Sequence, residues 1–327
     1  MRVELAPEVF ADGEDTTGSD DPTYLTHLYS LLYCFIDERH EWVTNGLVVV
    51  AVEEFLPKHL PSLADTLAST ARKAATAQVW TGTSQVDPEV VRVTRADLVE
   101  HAADLCQRAV VVVENQGSDG RFLAAVAHVL GDERVRRAFE HDWVEFANGG
   151  GSTLVSVAEQ AVRRFRRVVR VAAVLDSDRL LPQQRTSSDD KADRLRRLGV
   201  AVHVLARREA ENYVPYRVLA TVGRPGEASR KVTLLKQLTP EQRAHYDMKH
   251  GFRRIDRSQE TRDAFEKLFP TFVPPTPRTG LHDGFGDRLL DELHAHRERL
   301  TEDDFAQLGP DVVAELRELL ATVAGRI

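Results

Sequence analysis

The order of apolar runs along the chain predicts an α/β protein built on a mostly parallel sheet. Valine-rich, strand-like runs occupy residues 109–113, 168–175 and 200–205, and a shorter one occupies 143–146. Helical stretches separate these runs, so strand and helix alternate throughout this part of the chain. Connections of this kind are right-handed and place the carboxyl ends of the strands at one edge of the sheet.

The helices are predicted from apolar side chains that recur at helical spacing. Residues 47–52 (LVVVAV) fit either a strand or part of a buried helix. The clearer helical stretches are 62–76, 96–107, 120–130, 152–165, 189–198, 260–268, 287–300 and 311–327. The proline-rich residues 270–277 fit a linker or an ordered extended crossing.

These elements divide the chain into four regions. Residues 1–22, rich in Asp, Gly, Thr and Ser, are expected to be a disordered tail, at least at the start. Residues 23–105 are expected to be mainly helical, and 106–217 form the α/β unit. Residues 218–327 are expected to be mainly helical again.

Composition narrows the class of protein. The chain has 327 residues, of which 42% are hydrophobic and 29% charged, as in globular proteins. It has no run of about 18 apolar residues and no signal-peptide pattern, so no membrane partner and a cytoplasmic location are expected. The two cysteines, Cys34 and Cys106, lie in apolar helical stretches without metal-binding spacing, and are expected to be core thiols in a reducing compartment.

Charge is unevenly distributed. The net charge of −8 argues against a surface that binds nucleic acid everywhere. Arginines nevertheless cluster in three blocks, each of which fits either a phosphate-binding surface or a solvated helix face. The blocks are Arg163, Arg164, Arg166, Arg167 and Arg170; Arg194, Arg196, Arg197, Arg207 and Arg208; and Arg253, Arg254 and Arg257.

Acidic residues follow the three main strand-like runs. Glu114 comes directly after the first run, Asp176 and Asp178 after the second, and Glu209 and Glu211 shortly after the third. Gathered at one sheet edge, these like charges would be costly unless a divalent cation bound between them. The pattern therefore predicts a magnesium site, and such sites usually act on phosphates.

Each acidic position also has a structural explanation. A lone glutamate after a strand is most often a loop charge or a helix N-cap. In an extended strand Asp176 and Asp178 would point the same way, but an Asp-x-Asp sequence also caps helices and turns. For Asp119, a cap of the following helix is the favoured role.

The last acidic pair has two interpretations of equal weight. On an extension of the strand, Glu209 and Glu211 would share a face and could bind a metal. They could instead form ion pairs with Arg207 or Arg208. Tyr213 is expected to be a packing residue and not a nucleophile.

Four segments together resemble the Toprim domain, the magnesium-binding fold of topoisomerases, bacterial primases, small RNA-maturing nucleases and OLD nucleases. The resemblance covers about residues 106–217. Residues 110–119 (VVVVENQGSD) resemble the first-strand motif, with Glu114 at the family's glutamate, and 172–179 (AAVLDSDR) resemble the DxD strand. The glycine turn is similar at 148–154 (NGGGSTL). Residues 207–215 (RREAENYVP) are similar to the segment that follows the fourth strand in OLD-type and related phage-defence Toprim proteins.

The match has one departure from the family pattern. Toprim domains usually have glycine directly after the first glutamate, where this chain has Asn115 and Gln116 before Gly117. The turn after Glu114 is therefore expected to be longer or differently shaped.

The resemblance implies a Toprim-like, Mg²⁺- or Mn²⁺-dependent endonuclease that hydrolyses DNA or RNA phosphodiester bonds by a one- or two-metal mechanism, in antiviral defence. Glu114 would help hold one metal, and Asp176 and Asp178 the other. Glu209 or Glu211 would complete the set. The catalytic residues would be Glu114, Asp176, Asp178 and Glu211. The alternative is a non-catalytic, degenerate Toprim module that binds nucleic acid or a partner protein in an assembly. A nucleotide-binding α/β domain of another kind ranks last.

Partners are also implied. OLD-type nucleases carry an ATPase domain in the same chain, but this sequence has no GxxxxGK[ST] phosphate loop. The resemblance therefore implies a stand-alone effector or a separately encoded ATPase or sensor. Toprim nucleases often act as homodimers. Lys249 could reach a scissile phosphate, although a solvated surface lysine is the commoner case.

Overall fold

Two parallel sheets organise the chain. The computed structural model describes residues 1–11, 22–81, 90–150, 152–253, 259–269 and 279–327. Within these residues the strands are β1 (Arg2–Leu5), β2 (Glu41–Val43), β3 (Val91–Val93), β4 (Ala109–Val113), β5 (Val144–Asn148), β6 (Val171–Leu175) and β7 (Ala201–Val204). All their pairings are parallel.

Helices pack around both sheets. The first eight are α1 (Pro22–Ile36), α2 (Gly46–His59), α3 (Ala64–Thr81), α4 (Leu98–Cys106), α5 (Gln116–Val129), α6 (Glu133–Glu140), α7 (Leu154–Val162) and α8 (Ser187–Arg197). Those that follow are α9 (Tyr216–Leu219), α10 (Pro225–Leu235), α11 (Pro240–His245), α12 (Gln259–Leu268), α13 (Leu289–His296), α14 (Glu302–Ala306) and α15 (Val312–Ala324).

The larger sheet has the strand order β5-β4-β6-β7. Every residue of the inner strands β4 and β6 is buried. Continuous apolar runs such as AVVVV suit strands with helices on both faces, because neither face then meets water. The α/β fold with a parallel sheet flanked by helices, predicted from the sequence, is thus confirmed.

The prediction that the start of the chain is disordered is wrong, because it forms part of the smaller sheet. Residues 1–11 are not a disordered tail: β1 is the central strand of a sheet ordered β2-β1-β3. Val3 and Leu5 are completely buried, because alternate residues of β1 face the core. Residues 12–21, also predicted to be disordered, lie outside the described residues. The region 23–105 is mainly helical but also contributes β2 and β3.

Other predictions have mixed outcomes. Residues 47–52 belong to α2, whose first turn is capped by the Asn45 side chain accepting from the amides of Leu47 and Val48. Helix α6 was not predicted. The proline-rich stretch 270–277 lies outside the described part of the chain.

The largest hydrophobic core joins the α/β unit to the C-terminal helices. Val111 and Phe122 belong to the same buried cluster as Leu289, Leu316 and Val323. Residues on both sides of position 217 therefore build one core, although the division there stays a prediction. Within the described residues, no helix combines the length and apolarity needed to cross a membrane.

Candidate functional site

The carboxyl ends of β4, β6 and β7 open into three loops at one edge of the larger sheet. Because β4 pairs with β6 and β6 with β7, all in parallel, the loops are neighbours. Glu114 begins the first loop, Asp176 and Asp178 lie in the second, and the segment with Glu209 and Glu211 follows the third strand. The structure therefore brings the acidic residues to one edge, as predicted.

The loop after β4 leads directly into α5. Asn115 caps the helix, since its side chain accepts from the Gly117 amide at 3.0 Å. Asp119, predicted to cap a helix beginning at Gly120, lies instead inside the first turn of α5, where it accepts from the Asn115 amide at 2.9 Å. Glu114 is half-buried beside this turn.

The glycine turn after β5 packs against the loop that holds Glu114. The Gly149 amide donates to the Val113 carbonyl at 2.8 Å. A Cβ on Gly149 would come within 2.8 Å of the Leu154 backbone, and one on Gly150 within 3.3 Å of the Glu114 carbonyl. Glycine is needed here because the chain approaches its neighbours too closely for a side chain.

The loop after β6 is tied to the loop after β7. Asp176 accepts from the Ala210 amide at 2.9 Å, and the Ser177 hydroxyl donates to the Arg207 carbonyl at 2.7 Å. The Asp178 amide donates to the Arg208 carbonyl at 2.9 Å. These bonds fix the second and third acidic segments relative to each other.

The expectation that Asp176 and Asp178 point the same way from an extended strand is wrong. Strand β6 ends at Leu175, and Asp178 has a φ of 54°, in the left-handed region. The strand pleat therefore does not extend through the pair, since that φ breaks the alternation of side chains. Asp178 is exposed, whereas Asp176 is partly buried.

Residues after β7 form a 3-10 turn, Ala210–Tyr213, and not a strand extension. The buried side chains of Glu209 and Glu211 nevertheless approach one cation, the ammonium of Lys249. The Lys249 Nζ lies 3.0 Å from Glu211 Oε1 and 3.5 Å from Glu209 Oε2. Glu209 Oε1 also accepts from the Met248 amide at 3.0 Å.

The predicted arginine partners of these glutamates lie elsewhere. Arg208 pairs with Asp247 at 3.0 Å. Arg207 is buried and donates to the Leu308 carbonyl at 2.8 Å. The predicted ion pairs of Glu209 and Glu211 with Arg207 or Arg208 are therefore wrong, and Lys249 provides the cation instead.

Asn212 and Tyr213 are structural. Asn212 is completely buried and donates to the carbonyls of Arg243 and Tyr246 at 3.0 and 2.9 Å. Tyr213 is equally buried, and its hydroxyl accepts from the Arg207 amide and donates to Glu315. The packing role predicted for Tyr213 is confirmed.

The backbone of Lys249 is held by two glycines. Gly284 has a φ of 60°, and a Cβ there would lie 2.5 Å from the Lys249 carbonyl oxygen. Gly251 has a φ of 65°, and its Cβ would lie 2.2 Å from the Leu281 carbonyl oxygen. Only glycine combines this φ with such close backbone contact. The segment 281–286 thus fixes the position of Lys249.

The acids at this edge raise one another's pKa values. Burial raises the pKa of Asp176 well above its ordinary range, and Glu211, Asp119, Glu114 and Glu209 add to the effect in that order. Four acids from both neighbouring loops therefore act on one carboxyl group. Its principal charged neighbour is Glu211 and not Asp178.

The pKa values of Glu114 and Glu211 change in the same direction as that of Asp176. Burial raises the pKa of Glu114, and Asp178 adds to the shift, while Lys191 opposes it. Burial and Glu209 raise the pKa of Glu211 to about 7, against the opposing effect of Lys249. Glu211 is thus the acid with the largest effect on the pKa of Asp176, and Asp178 the acid with the largest effect on that of Glu114. The grouping of Asp176 with Asp178 around one metal stays a prediction.

The donor chemistry of this edge suits a hard divalent cation, since carboxylate oxygens are the ligands that Mg²⁺ prefers. The side chains do not, however, form a preformed metal site. In the part of the chain described, no group of three or more His, Cys, Asp or Glu is arranged to hold a metal ion. Lys249 provides the positive charge between Glu209 and Glu211. Metal binding would therefore require the lysine or the carboxylates to move.

Of the two interpretations of the arginine blocks, a phosphate-binding surface is open only to some of their residues. Arg170 is completely buried and donates to the carbonyls of Leu105 and Gln107, so it and Arg207 cannot belong to that surface. Arg164 and Arg194 are exposed but paired with Glu145 and Glu159. The remaining arginines of the third block, Arg254 and Arg257, lie outside the described residues.

A basic cavity of about 1000 Å³ lies near the amino-terminal ends of β6 and β7, away from the acidic edge. Among the described residues that line it there is no Asp or Glu. Its arginines are Arg2, Arg92, Arg134, Arg167 and Arg326. Three of these arginines already pair with glutamates outside the lining: Arg2 with Glu41, Arg92 with Glu4 and Arg167 with Glu100.

Sequence reasoning weighed Lys249 only as a distant possibility and missed Asp247. The segment YDMKHGF contained one usable signal, the isolated Gly251, because glycine often marks a turn. Nothing in the sequence indicated that this turn returns to the acidic edge.

Comparison of the chain with models of protein families, with curated proteins and with solved structures found no match. The resemblance to Toprim domains therefore depends on the sequence motifs alone.

Proposed function

We propose that the chain is a Toprim-like nuclease that hydrolyses DNA or RNA phosphodiester bonds with Mg²⁺ or Mn²⁺. The observation that carries this proposal is the convergence of Glu114, Asp176 and Glu211 from three neighbouring strand ends. Their mutual repulsion raises the pKa of Asp176 after burial has already raised it. Such repulsion is relieved by a divalent cation.

The residues take distinct roles in this proposal. Asp176, fixed by the Ala210 amide, and Glu211 would hold one cation. Glu114 and Asp178 would hold a second or share the first, since Asp178 acts on Glu114 electrostatically. When bound, the ion would lower the pKa of a water molecule and stabilise charge on the phosphate.

Lys249 would have two positions in this scheme. It neutralises Glu209 and Glu211 in the structure described. With the carboxylates engaged by a cation, its ammonium would be released toward the phosphate of a substrate, where a point charge stabilises negative oxygen. Glu209 would then remain anchored by the Met248 amide.

The test is cleavage of plasmid, single-stranded DNA and tRNA by the purified chain with Mg²⁺ or Mn²⁺. Asp176→Asn and Glu114→Gln are expected to lower the cleavage rate by about 100-fold, because each removes a metal-binding charge but keeps the side-chain shape. Asp190→Asn, at an exposed acid on α8 paired with Arg185, is the matched control and should cleave normally. Undiminished cleavage by both site variants would refute the assignment.

The second candidate is a non-catalytic module that binds nucleic acid. The arginine-lined cavity and the lysine already placed between two of the acids favour it. A melting temperature unchanged by Mg²⁺ and Mn²⁺, together with binding of single strands that is lost at high salt, would support this module over the nuclease.

The nuclease proposal includes a partner, an ATPase or sensor protein encoded separately. Purification of the tagged chain from its native host would identify such a protein by mass spectrometry. A chain that is fully active alone would remove the need for it.

A further inference from the structure

The two cysteines form a close pair between helices that are far apart in sequence. Cys34 lies near the end of α1 and Cys106 is the last residue of α4. Their sulfur atoms are 3.6 Å apart, which is contact distance. The chain contains no other cysteine, so this contact brings together every thiol in the sequence.

The surroundings of the pair are positively charged. Arg39 donates to the carbonyl of Cys106 at 2.7 Å and to that of Gln107. Arg170 donates to the carbonyls of Leu105 and Gln107. Two guanidinium groups are thus held beside the thiols by the backbone that carries Cys106. Reactive cysteines are found in such electropositive sites, because a positive charge stabilises the thiolate.

The pair is also accessible from one side. Cys34 is 7% exposed, while Cys106 is intermediate between buried and exposed. The hydrogen bond with Cys106 lowers the pKa of Cys34 to about 7 against the effect of burial, and Arg39 and Arg170 act in the same direction. Cys34 is therefore the sulfur expected to react with an oxidant, and the Cys106 sulfur lies in contact with it.

We propose that Cys34 and Cys106 are a modification site, at which a peroxide converts the two thiols into a reversible disulfide that joins α1 to α4. The site is independent of the nuclease proposal. In a reducing compartment such a bond would be transient, as for redox-sensing disulfides.

The chemistry proceeds in two balanced steps. The Cys34 thiolate attacks one oxygen of hydrogen peroxide, an S–O bond forms, the O–O bond breaks and the released hydroxide takes a proton to become water. The Cys106 sulfur then attacks the sulfenic sulfur, the S–S bond forms, and a second water leaves with the thiol proton. The thiols lose two electrons, which the peroxide gains.

The test is titration of the full chain with hydrogen peroxide, followed by thiol alkylation and intact mass spectrometry. The expected product is monomeric, lighter by two hydrogen atoms, and has lost both alkylation sites together; a thiol reductant restores them. Peptide mapping should join the peptides of Cys34 and Cys106. Two thiols that remain alkylatable, that oxidise independently, or that link two chains would overturn the proposal.

Single variants identify the reacting sulfur. Cys106→Ser should accumulate a sulfenic acid at Cys34 that a diketone reagent traps. Cys34→Ser should react with peroxide about tenfold more slowly, because the contact with Cys34 and burial both raise the pKa of Cys106, and the burial remains in this variant. Equal rates in the two variants would contradict the assigned order of attack. The titration of the unsubstituted chain decides the disulfide itself, even if a variant fails to fold.

Discussion

At Asp176, burial and neighbouring negative charges both raise the pKa of the carboxyl group. It lies at the end of a fully buried strand, and four other acids raise its pKa beyond the effect of burial. In the absence of a bound cation this carboxyl group should therefore oppose folding at neutral pH, because ionisation costs more in the folded than in the unfolded chain.

Replacing Asp176 by asparagine should stabilise the chain while abolishing cleavage. The amide keeps an acceptor for the Ala210 amide but carries no charge. We expect the free energy of unfolding to rise by about 1 kcal/mol or more near pH 8. The measurement is urea unfolding in a chelating buffer.

The pH dependence follows from the raised pKa. Because the folded chain holds this proton more tightly, the carboxyl group stabilises the fold below its unfolded pKa of about 4 and loses that contribution as pH rises through the folded value. The gain from Asp176→Asn should thus be greatest at high pH and vanish near pH 4. Asp190→Asn, at an exposed acid, is expected to show no such trend; a gain independent of pH at Asp176 would contradict the argument.

At the scale of elements, the position of Lys249 depends on the turns around it. Gly284→Ala should lower the free energy of unfolding by about 3 kcal/mol, since a left-handed φ costs about 1–2 kcal/mol and the overlap with the Lys249 carbonyl adds to it. Gly286→Ala is the matched control: its φ is 88°, but a Cβ there meets nothing within 4 Å. It should lose only about 1–2 kcal/mol. Equal losses in urea unfolding would show that the overlap is unimportant.

Sequence patterns predicted long elements well and short ones poorly. The inner strands β4 and β6 are continuous runs of apolar residues, buried on both faces. Such a run is typical of a buried strand and not of a loop. Strands β2 and β3 have three residues each, too few for alternation to be recognised. In helix α6, Val135, Ala138 and Phe139 stand at helical spacing, but the helix has only eight residues, too few for the pattern to repeat.

The first strand was missed for a related reason. Residues 1–5 alternate as a strand should, but the acidic and glycine-rich residues that follow dominate the local composition. Its core side chains become recognisable only when β2 and β3 are placed on either side.

At the scale of the whole molecule, a substitution in β1 tests whether the start of the chain packs into the core of the smaller sheet. Leu5 is completely buried at the centre of the smaller sheet. Leu5→Ala should lower the free energy of unfolding by about 3 kcal/mol, as expected for a cavity in a packed core. Glu8→Ala, at a nearby exposed position, should change it by no more than about 0.5 kcal/mol. A Leu5→Ala variant as stable as the parent chain would indicate that residues 1–5 do not pack as described.

The candidate site was partly predictable at this scale. Parallel strands carry their carboxyl ends to one edge, so Glu114, Asp176 and Glu211 could be placed at that edge from the parallel arrangement alone. The 3-10 turn, the left-handed Asp178 and the pairing with Lys249 could not, because they depend on contacts between segments far apart in sequence.

The late position of Lys249 in the chain has a consequence for biosynthesis. A ribosome delivers Glu209 and Glu211 well before their lysine, and before residues 281–286, which hold that lysine in place. Domains generally fold from the N-terminus while translation proceeds. The ion pairs can therefore form only after most of the chain has emerged, so the acidic edge is among the last parts of the protein to mature.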